Sequence, residues 1–520
     1  MKQWTLEERY RVLESAEDVR DLFGRILKSV YRQTYHIMPV TGLSSDPNGF
    51  VYHDGVWHLY YQWCPWGAVH GLKYWYHVSS KDLIHWTNEG VGLKPDRIFD
   101  NKGTHSGSAI AYGDDLYLFY TGNHRDENWV RTPYTCAAKI GPDGKPVKLP
   151  EPLFGPRPDY SEHQRDPKVI WVPDQKKYFI FIGAQTMDKK GTALIYKSSD
   201  LLSGWEFAGQ LNVPGFEDFG GMWECPCIVN ISGKDILIFS PQYTKLPGRA
   251  ESTNHNVYIV GKMDYDTLTF TPEADYQYLD FGFDFYAAQF AANVEDPDKA
   301  ILIAWIGLPD NHYPTEPDEW EGSMCLPREL RLVNGKLVQT PVEGIEQLRI
   351  DEVAADGTLP AVFEMEATVK GGDADLNLFT KADGSGGLTI HYDDARKTAV
   401  IDRTGMNKRF NENVGEVLEM PLDRPLEKLR IFADKCSVEI FANDGESTFT
   451  THLYPEADEF NYTATDNVEV KIWTLAPSVK DDFVISRQRF AIAWIYWKED
   501  LLSGCSGKQV LFCACDCSGP

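Results

Sequence analysis

The stretch SSDPNGFVYHDGVWHLYYQ, residues 44–62, holds an acid-bearing turn, a second turn at HDGVW and an apolar strand, HLYYQ, at 58–62. The same order returns along the chain. Apolar strands recur as LYLFYTG (116–122), YFIFIGA (178–184), ILIFSPQ (236–242) and ILIAWIG (301–307), introduced by YGDDL, VPDQKK, ISGKD and EDPDKA. A unit of short strands and Gly/Asp-rich turns repeated at a period of about sixty residues is the pattern of a propeller, here with five blades. KYWYHVSSKDLIHW (73–86) and ALIYKSSDLLSGWEF (193–207) support this, each reading as strand, Ser-Ser-Asp-type turn and strand. If the blades are equivalent, the residue about twelve positions before each apolar strand lies on the innermost strand. Asp46, Ser106, Asp166, Glu224 and Gln289 are then expected to converge on the central channel.

From about residue 350 the pattern becomes alternating strands, as in VFEMEATVKG, GLTIHYD and LRIFADKCSVEIFAND, with GDAD, DGSGG and NDGE turns, which reads as a β-sandwich. The expected organisation is all-β: an N-terminal amphipathic helix over 1–33, a propeller over 34–340, a linker over 341–352, a sandwich over 353–480 and an atypical Cys-rich tail over 481–520. Val12, Ala16, Val19, Phe23, Ile26 and Val30 recur at spacings of three and four, predicting one helix face that docks on the body. The tail holds four of the ten cysteines, changes composition abruptly and reads as an appended end without catalytic role.

A length of 520 residues exceeds one ordinary core and favours two unequal domains. Fifteen tryptophans suit a protein that handles carbohydrate, because flat apolar faces stack on sugar rings. The net charge of −26 argues against nucleic acid or an anionic membrane surface as partner. The N-terminus is charged throughout and lacks the apolar core of a signal peptide, and no run of eighteen apolar residues occurs, so a cytoplasmic location is expected. Cys225 and Cys227 are spaced C-x-C with no partner pair, so neither zinc nor any other metal or cofactor is implied.

Taken singly the acidic boxes are ordinary. DPNG at 46–49 makes a good turn, RDP at 165–167 serves equally as an ion pair before a strand, and WEC alone says nothing. Their common register carries the chemistry. Two carboxyl groups, one as nucleophile and one as general acid and base, cleave a glycosidic bond with retention, and a third is free to bind hydroxyls. The acid must hold its proton near neutral pH, which burial among aromatics and carboxylates favours; Glu224, between Trp223 and Cys225, is expected to have that environment.

From about residue 34 to 475 these boxes resemble glycoside hydrolase family 32, whose members carry Asn-Asp-Pro-Asn-Gly, Arg-Asp-Pro and Glu-Cys boxes in this order. HGLKYWYHVSSKDLIHW, SGSA (106–109), TGNHRDENWVR (121–131), LDFGFDFYAAQ (279–289) and SMCLPREL (323–330) look most like the intracellular bacterial members that act on sucrose 6-phosphate. The resemblance implies a five-bladed propeller followed by a β-sandwich, and hydrolysis of terminal β-D-fructofuranosides with retention. It matches Asp46 to the nucleophile, Glu224 to the acid and base, and Asp166 to the acid that holds fructose hydroxyls. Gln62, Ser106 and Trp223 match positions near the fructose ring, with Arg165 and Gln289 completing the pocket.

Ser45 stands where the family has Asn, leaving part of the fructose rim to water. For a 6-phosphate, Arg125 and Arg131 in the RDENWVR loop offer the best geometry, with Lys73, His70 and Lys245 as further candidates, unless the arginines instead pair with Asp126 or Glu127. A fructosyltransferase or fructan exo-hydrolase on the same fold, and a non-catalytic sugar-binding propeller, remain alternatives. The expected partner is a small sugar.

Overall fold

The computed structural model describes residues 2–141, 143–249, 252–411 and 415–485. Five antiparallel sheets follow one another in chain order, each starting on an inner strand: Gly42–His53, Thr104–Tyr112, Tyr160–Val172, Met222–Ile231 and Tyr286–Phe290. We call them blades 1 to 5. The recurring apolar strands are the second strand of each blade: Val56–Cys64, Asp115–Arg125, Lys177–Thr186, Lys234–Gln242 and Ala300–Ile306. These strands are nearly continuously buried, as expected where both faces pack against neighbouring blades. Blade 5 closes onto blade 1, since Ala292 N–H donates to Phe50 O at 2.9 Å and Tyr52 N–H donates to Ala292 O at 3.1 Å. The short strand Trp320–Glu321 also lies parallel to Gly42–His53.

One irregularity repeats in every blade. The ladder between first and second strands slips between Ser44 and Pro47, His105 and Gly107, Arg165 and Lys168, Glu224 and Cys227, and Tyr286 and Gln289. Such bulges kink a strand and re-aim a side chain. In blades 1, 3 and 4 the cause is visible in the chain: Pro47, Pro167 and Pro226 lack the N–H that a regular ladder needs. Asp166, Cys225 and Ala287 take positive φ at these bends, 68°, 49° and 52°.

The segment 349–475 forms two sheets face to face. One is six-stranded, running Arg349–Val353, Val468–Leu475, Val362–Val369, Lys428–Asp434, Ser437–Ala442 and Ser447–His452; the other is five-stranded. Arg349–Val353, which begins inside the expected linker, is thus an edge strand of the sandwich. A polar knot joins propeller to sandwich. His36 lies 3.0 Å from both Asp434 and Glu439, and Arg328 pairs with Asp280 at 2.9 Å and Glu439 at 2.7 Å, all with side chains fully buried.

Two expectations need correction. The N-terminus is not one amphipathic helix but three short pieces, Leu6–Arg9, Ala16–Val19 and Arg20–Ile26. Val19, Leu22 and Ile26 dock, whereas Val12 and Val30 are exposed, because their packing partners are reached only along the short helical stretch. The body also does not end at residue 480. Arg32 clasps Asp481 through Nε at 3.0 Å and Nη2 at 2.7 Å, Tyr76 OH donates to Val484 O at 2.6 Å, and Ile485 is buried. The remainder of the Cys-rich tail lies outside the described residues. No described helix is long and apolar enough to cross a membrane.

Candidate active site

The bulges bring the register residues to one end of the channel. Asp46 Oδ2 accepts from Ser106 Oγ at 2.5 Å and from Gln62 Nε2 at 2.9 Å, and Gln62 Nε2 also reaches Ser106 Oγ. Asn48, of the same turn, donates from Nδ2 to Asp46 O at 2.9 Å and accepts from Gly107 N–H at 2.9 Å, tying blade 1 to blade 2. The Asp46 carboxylate is therefore held by blades 1 and 2 together.

Asp166 is almost wholly buried. Its Oδ2 accepts from Cys225 N–H at 3.0 Å, and its own N–H donates to Thr121 Oγ1 at 2.9 Å. Burial raises its pKa to about 7; Arg165 opposes this and the charges of Glu224 and Asp46 add to it. Glu224 has another setting. Arg165 donates to its Oε1 from Nε at 2.9 Å and Nη2 at 2.6 Å, while Tyr286 OH donates to Oε2 at 2.7 Å. Arg165 Nη1 also lies 3.1 Å from His163 Nδ1, and Nη2 reaches Gln242 Oε1 at 3.3 Å. The site thus holds one carboxylate by neutral donors and another by a guanidinium and a phenol, and the charges of both act on Asp166.

Several expected contacts are placed differently. Trp223 faces away from the channel: its ring stacks on Phe239 at 4.1 Å, Nε1 donates to Phe219 O at 2.6 Å, and it is 2 % exposed. Neighbouring strand residues point to opposite faces, so Glu224 in the channel puts Trp223 in the core. The aromatic group that touches Glu224 is Tyr286, which lies in LDFGFDFYAAQ but is given no role by the sequence. Ser45 does not lie on the rim either. It is fully buried, and its Oγ accepts from Lys73 Nζ at 2.9 Å.

Lys73 also lies 3.0 Å from His70 Nδ1 and is largely buried, behind the Asp46 turn. Gln289 sits deeper, donating to Gly107 O at 3.2 Å. Arg125 and Arg131 face each other across the end of a blade 2 hairpin. Arg125 Nη1 donates to Trp129 O at 2.7 Å and Arg131 Nε to Asn123 Oδ1 at 2.8 Å. Among the described residues neither pairs with Asp126 or Glu127. Asp126 instead accepts from the N–H groups of Asn128 and Val130. Burial, then Arg165, lowers the Arg131 pKa to about 10.

Known proteins match this chain over most of its length. The chain is 38 % identical over 472 residues to the sucrose-6-phosphate hydrolase of Staphylococcus xylosus, covering 88 % of this chain and 94 % of that one. It is 36 % identical over 479 residues to the Vibrio alginolyticus protein of the same name, with 90 % and 95 % covered. The solved sucrose-6-phosphate hydrolase of Lactobacillus gasseri superposes with a TM-score of 0.86 at 33 % identity, over 92 % of this chain and 100 % of that one. A GH32 β-fructofuranosidase from Bombyx mori superposes at 0.77 with 30 % identity, over 90 % and 100 %. Residues 36–341 match the glycosyl hydrolases family 32 N-terminal domain and residues 336–474 the family's C-terminal domain. Together with the propeller, the sandwich and the three carboxyl groups on its axis, these matches make the chain a glycoside hydrolase belonging to family 32.

Proposed function

We propose that this protein is a retaining β-fructofuranosidase that hydrolyses sucrose 6-phosphate, sucrose or both. The observation that carries the reading is the different anchoring of Asp46 and Glu224, whose charges both act on the buried Asp166. Asp46, aligned by Ser106 and Gln62, attacks the fructosyl C2. Glu224 protonates the departing glucosyl oxygen, then takes a proton from water to release fructose and free Asp46. Asp166 holds fructose hydroxyls and stabilises the oxocarbenium-like transition state. Arg165 and Tyr286 hold Glu224 in line, and Gln289 completes the pocket floor. Arg125 and Arg131 line its blade 2 side.

The names and titles of the similar proteins supply the substrate class. The test is turnover of sucrose and sucrose 6-phosphate by purified protein, with Asp46→Ala and Glu224→Ala as controls. Release of fructose with loss of at least about 10³-fold in both variants supports the reading; wild-type protein inert on both sugars refutes it. Release of β-fructofuranose, followed by NMR before mutarotation, checks retention.

A further inference from the structure

Glu224 and Asp46 address opposite sides of the reacting carbon in a displacement that forms a covalent intermediate. The leaving sugar therefore lies on the Glu224 side, against the rims of blades 3 and 4. A cavity of about 530 Å³ opens there, lined by His163, Gln185, Lys189, Gly221 and Tyr243 among others. Ligand sites typically span roughly 300–1,000 Å³.

The cavity is linked to the acid through Arg165. His163 Nδ1 lies 3.1 Å from the same Arg165 that holds Glu224, and Gln242, which precedes Tyr243, accepts from Arg165. Gly221 lines it, where a Cβ would crowd the Tyr243 ring at 3.2 Å and Lys189 O at 3.4 Å. Tyr243 is 63 % exposed at the rim, an apolar ring presented to solvent. It and Lys189 both take positive φ, 59° and 66°, a conformation uncommon outside glycine.

Charge separates this cavity from the other candidates. Lys190 is neutralised by Asp218 at 2.6 Å, but the exposed Lys189 ammonium has no ion pair or hydrogen bond among the described residues. Burial and the neighbouring Arg165 and Arg131 lower the His163 pKa, so it is a neutral wall. Lys73 and His70 lie behind the nucleophile. Arg125 and Arg131 sit on blade 2, between the Asp46 and Asp166 blades, and both are already engaged, Arg125 by the Trp129 carbonyl and Arg131 by Asn123.

We propose that this cavity is the leaving-group subsite and that Lys189 confers preference for a leaving sugar bearing a phosphate, with Tyr243 as its stacking face. The proposal rests on the fructofuranosidase reading. Its test is the ratio of kcat/KM for sucrose 6-phosphate to that for sucrose in wild type, Lys189→Ala, Lys189→Arg, Arg125→Ala and Arg131→Ala.

The expected result is a roughly tenfold fall in the ratio for Lys189→Ala, equivalent to about 1.4 kcal/mol, and recovery in Lys189→Arg. An unchanged ratio in Lys189→Ala overturns the proposal, and a fall in Arg125→Ala or Arg131→Ala instead moves the phosphate to blade 2. Calorimetric titration of glucose 6-phosphate and of glucose into wild type and Lys189→Ala reads the same site without turnover. A protein inert on both sugars would thus sink the enzymatic reading while the titration still decides the subsite: binding of glucose 6-phosphate weakened by Lys189→Ala supports it, and equal binding refutes it.

Discussion

Arg165 places both of its hydrogen bonds to Glu224 on one oxygen, Oε1, and leaves Oε2 to the phenol of Tyr286 at 2.7 Å. The two groups come from blades 3 and 5 and grip a side chain on blade 4. A carboxyl group held at both oxygens cannot rotate freely, which is what a proton donor aimed at one leaving oxygen requires.

Tyr286→Phe keeps the ring and deletes the hydroxyl. We expect kcat to fall about tenfold, the equivalent of one charge-assisted hydrogen bond of about 1.4 kcal/mol, with the melting temperature little changed. Steady-state kinetics beside a thermal scan check this, and an unaltered kcat would remove Tyr286 from the machinery.

We expect Asp166 to set the pH dependence of kcat/KM. Its pKa is raised to about 7, so the carboxyl cluster carries a proton below that pH and loses it above. We expect kcat/KM to fall as pH rises through about 7, because the cluster then lacks the proton that the leaving oxygen needs. Asp166→Asn should move that limb out of range and lower kcat by about 10² or more; a limb at the same pH in the variant would contradict the assignment.

Stability responds to pH through His36. Burial alone would lower its pKa, but Asp434 and Glu439 outweigh burial and raise it to about 9. The folded value exceeds that of about 6.5 in the unfolded chain. The stabilisation is therefore complete below about 6.5 and is lost as pH rises through about 9, a change on the order of 3 kcal/mol. Denaturant melts at pH 6.5 and 9.5 should show this loss in wild type and a flatter profile in His36→Gln, which will itself be less stable at the lower pH.

Two truncations locate the C-terminal edge of the folded body. A chain stopped after Lys480 loses the Arg32–Asp481 clasp, the Tyr76–Val484 bond and the burial of Ile485. It should be less stable than one stopped after Ile485 by roughly 2–4 kcal/mol. Equal melting curves for the two would show that 481–485 contribute nothing.

Much of the fold was legible because a propeller is a local repeat: each blade is written in consecutive residues, and its turns and apolar second strand recur in order. The candidate acids were legible for a related reason. In SSDPNG, QRDPK and MWECPC the acid stands beside or near a proline that cannot join the ladder, and the bulge that results faces it into the channel. Trp223 was misplaced because adjacency in sequence says nothing about which face of a kinked strand a side chain takes. Tyr286 and His163 were missed because their value lies in contacts spanning 62 residues to Glu224 and a two-residue reach to Arg165, neither of which has a motif. The single N-terminal helix failed because apolar periodicity alone cannot say how long a docked stretch remains helical.

The order of strands, turns, prolines and acids along the chain determined the five-bladed ring, the sandwich and the place of the three candidate carboxyl groups on the inner strands. These arise from backbone chemistry acting within each blade. What each carboxyl group, serine and cation faces was decided only when the ring closed. Ser45 turned to Lys73 instead of the rim, burial raised the Asp166 pKa, and the Lys189 ammonium was left exposed in the cavity that His163 lines, with no partner among the described residues. Burial, charge coupling and hydrogen-bond partners depend on which distant residues the fold brings within a few ångströms, and no spacing along the chain records that distance.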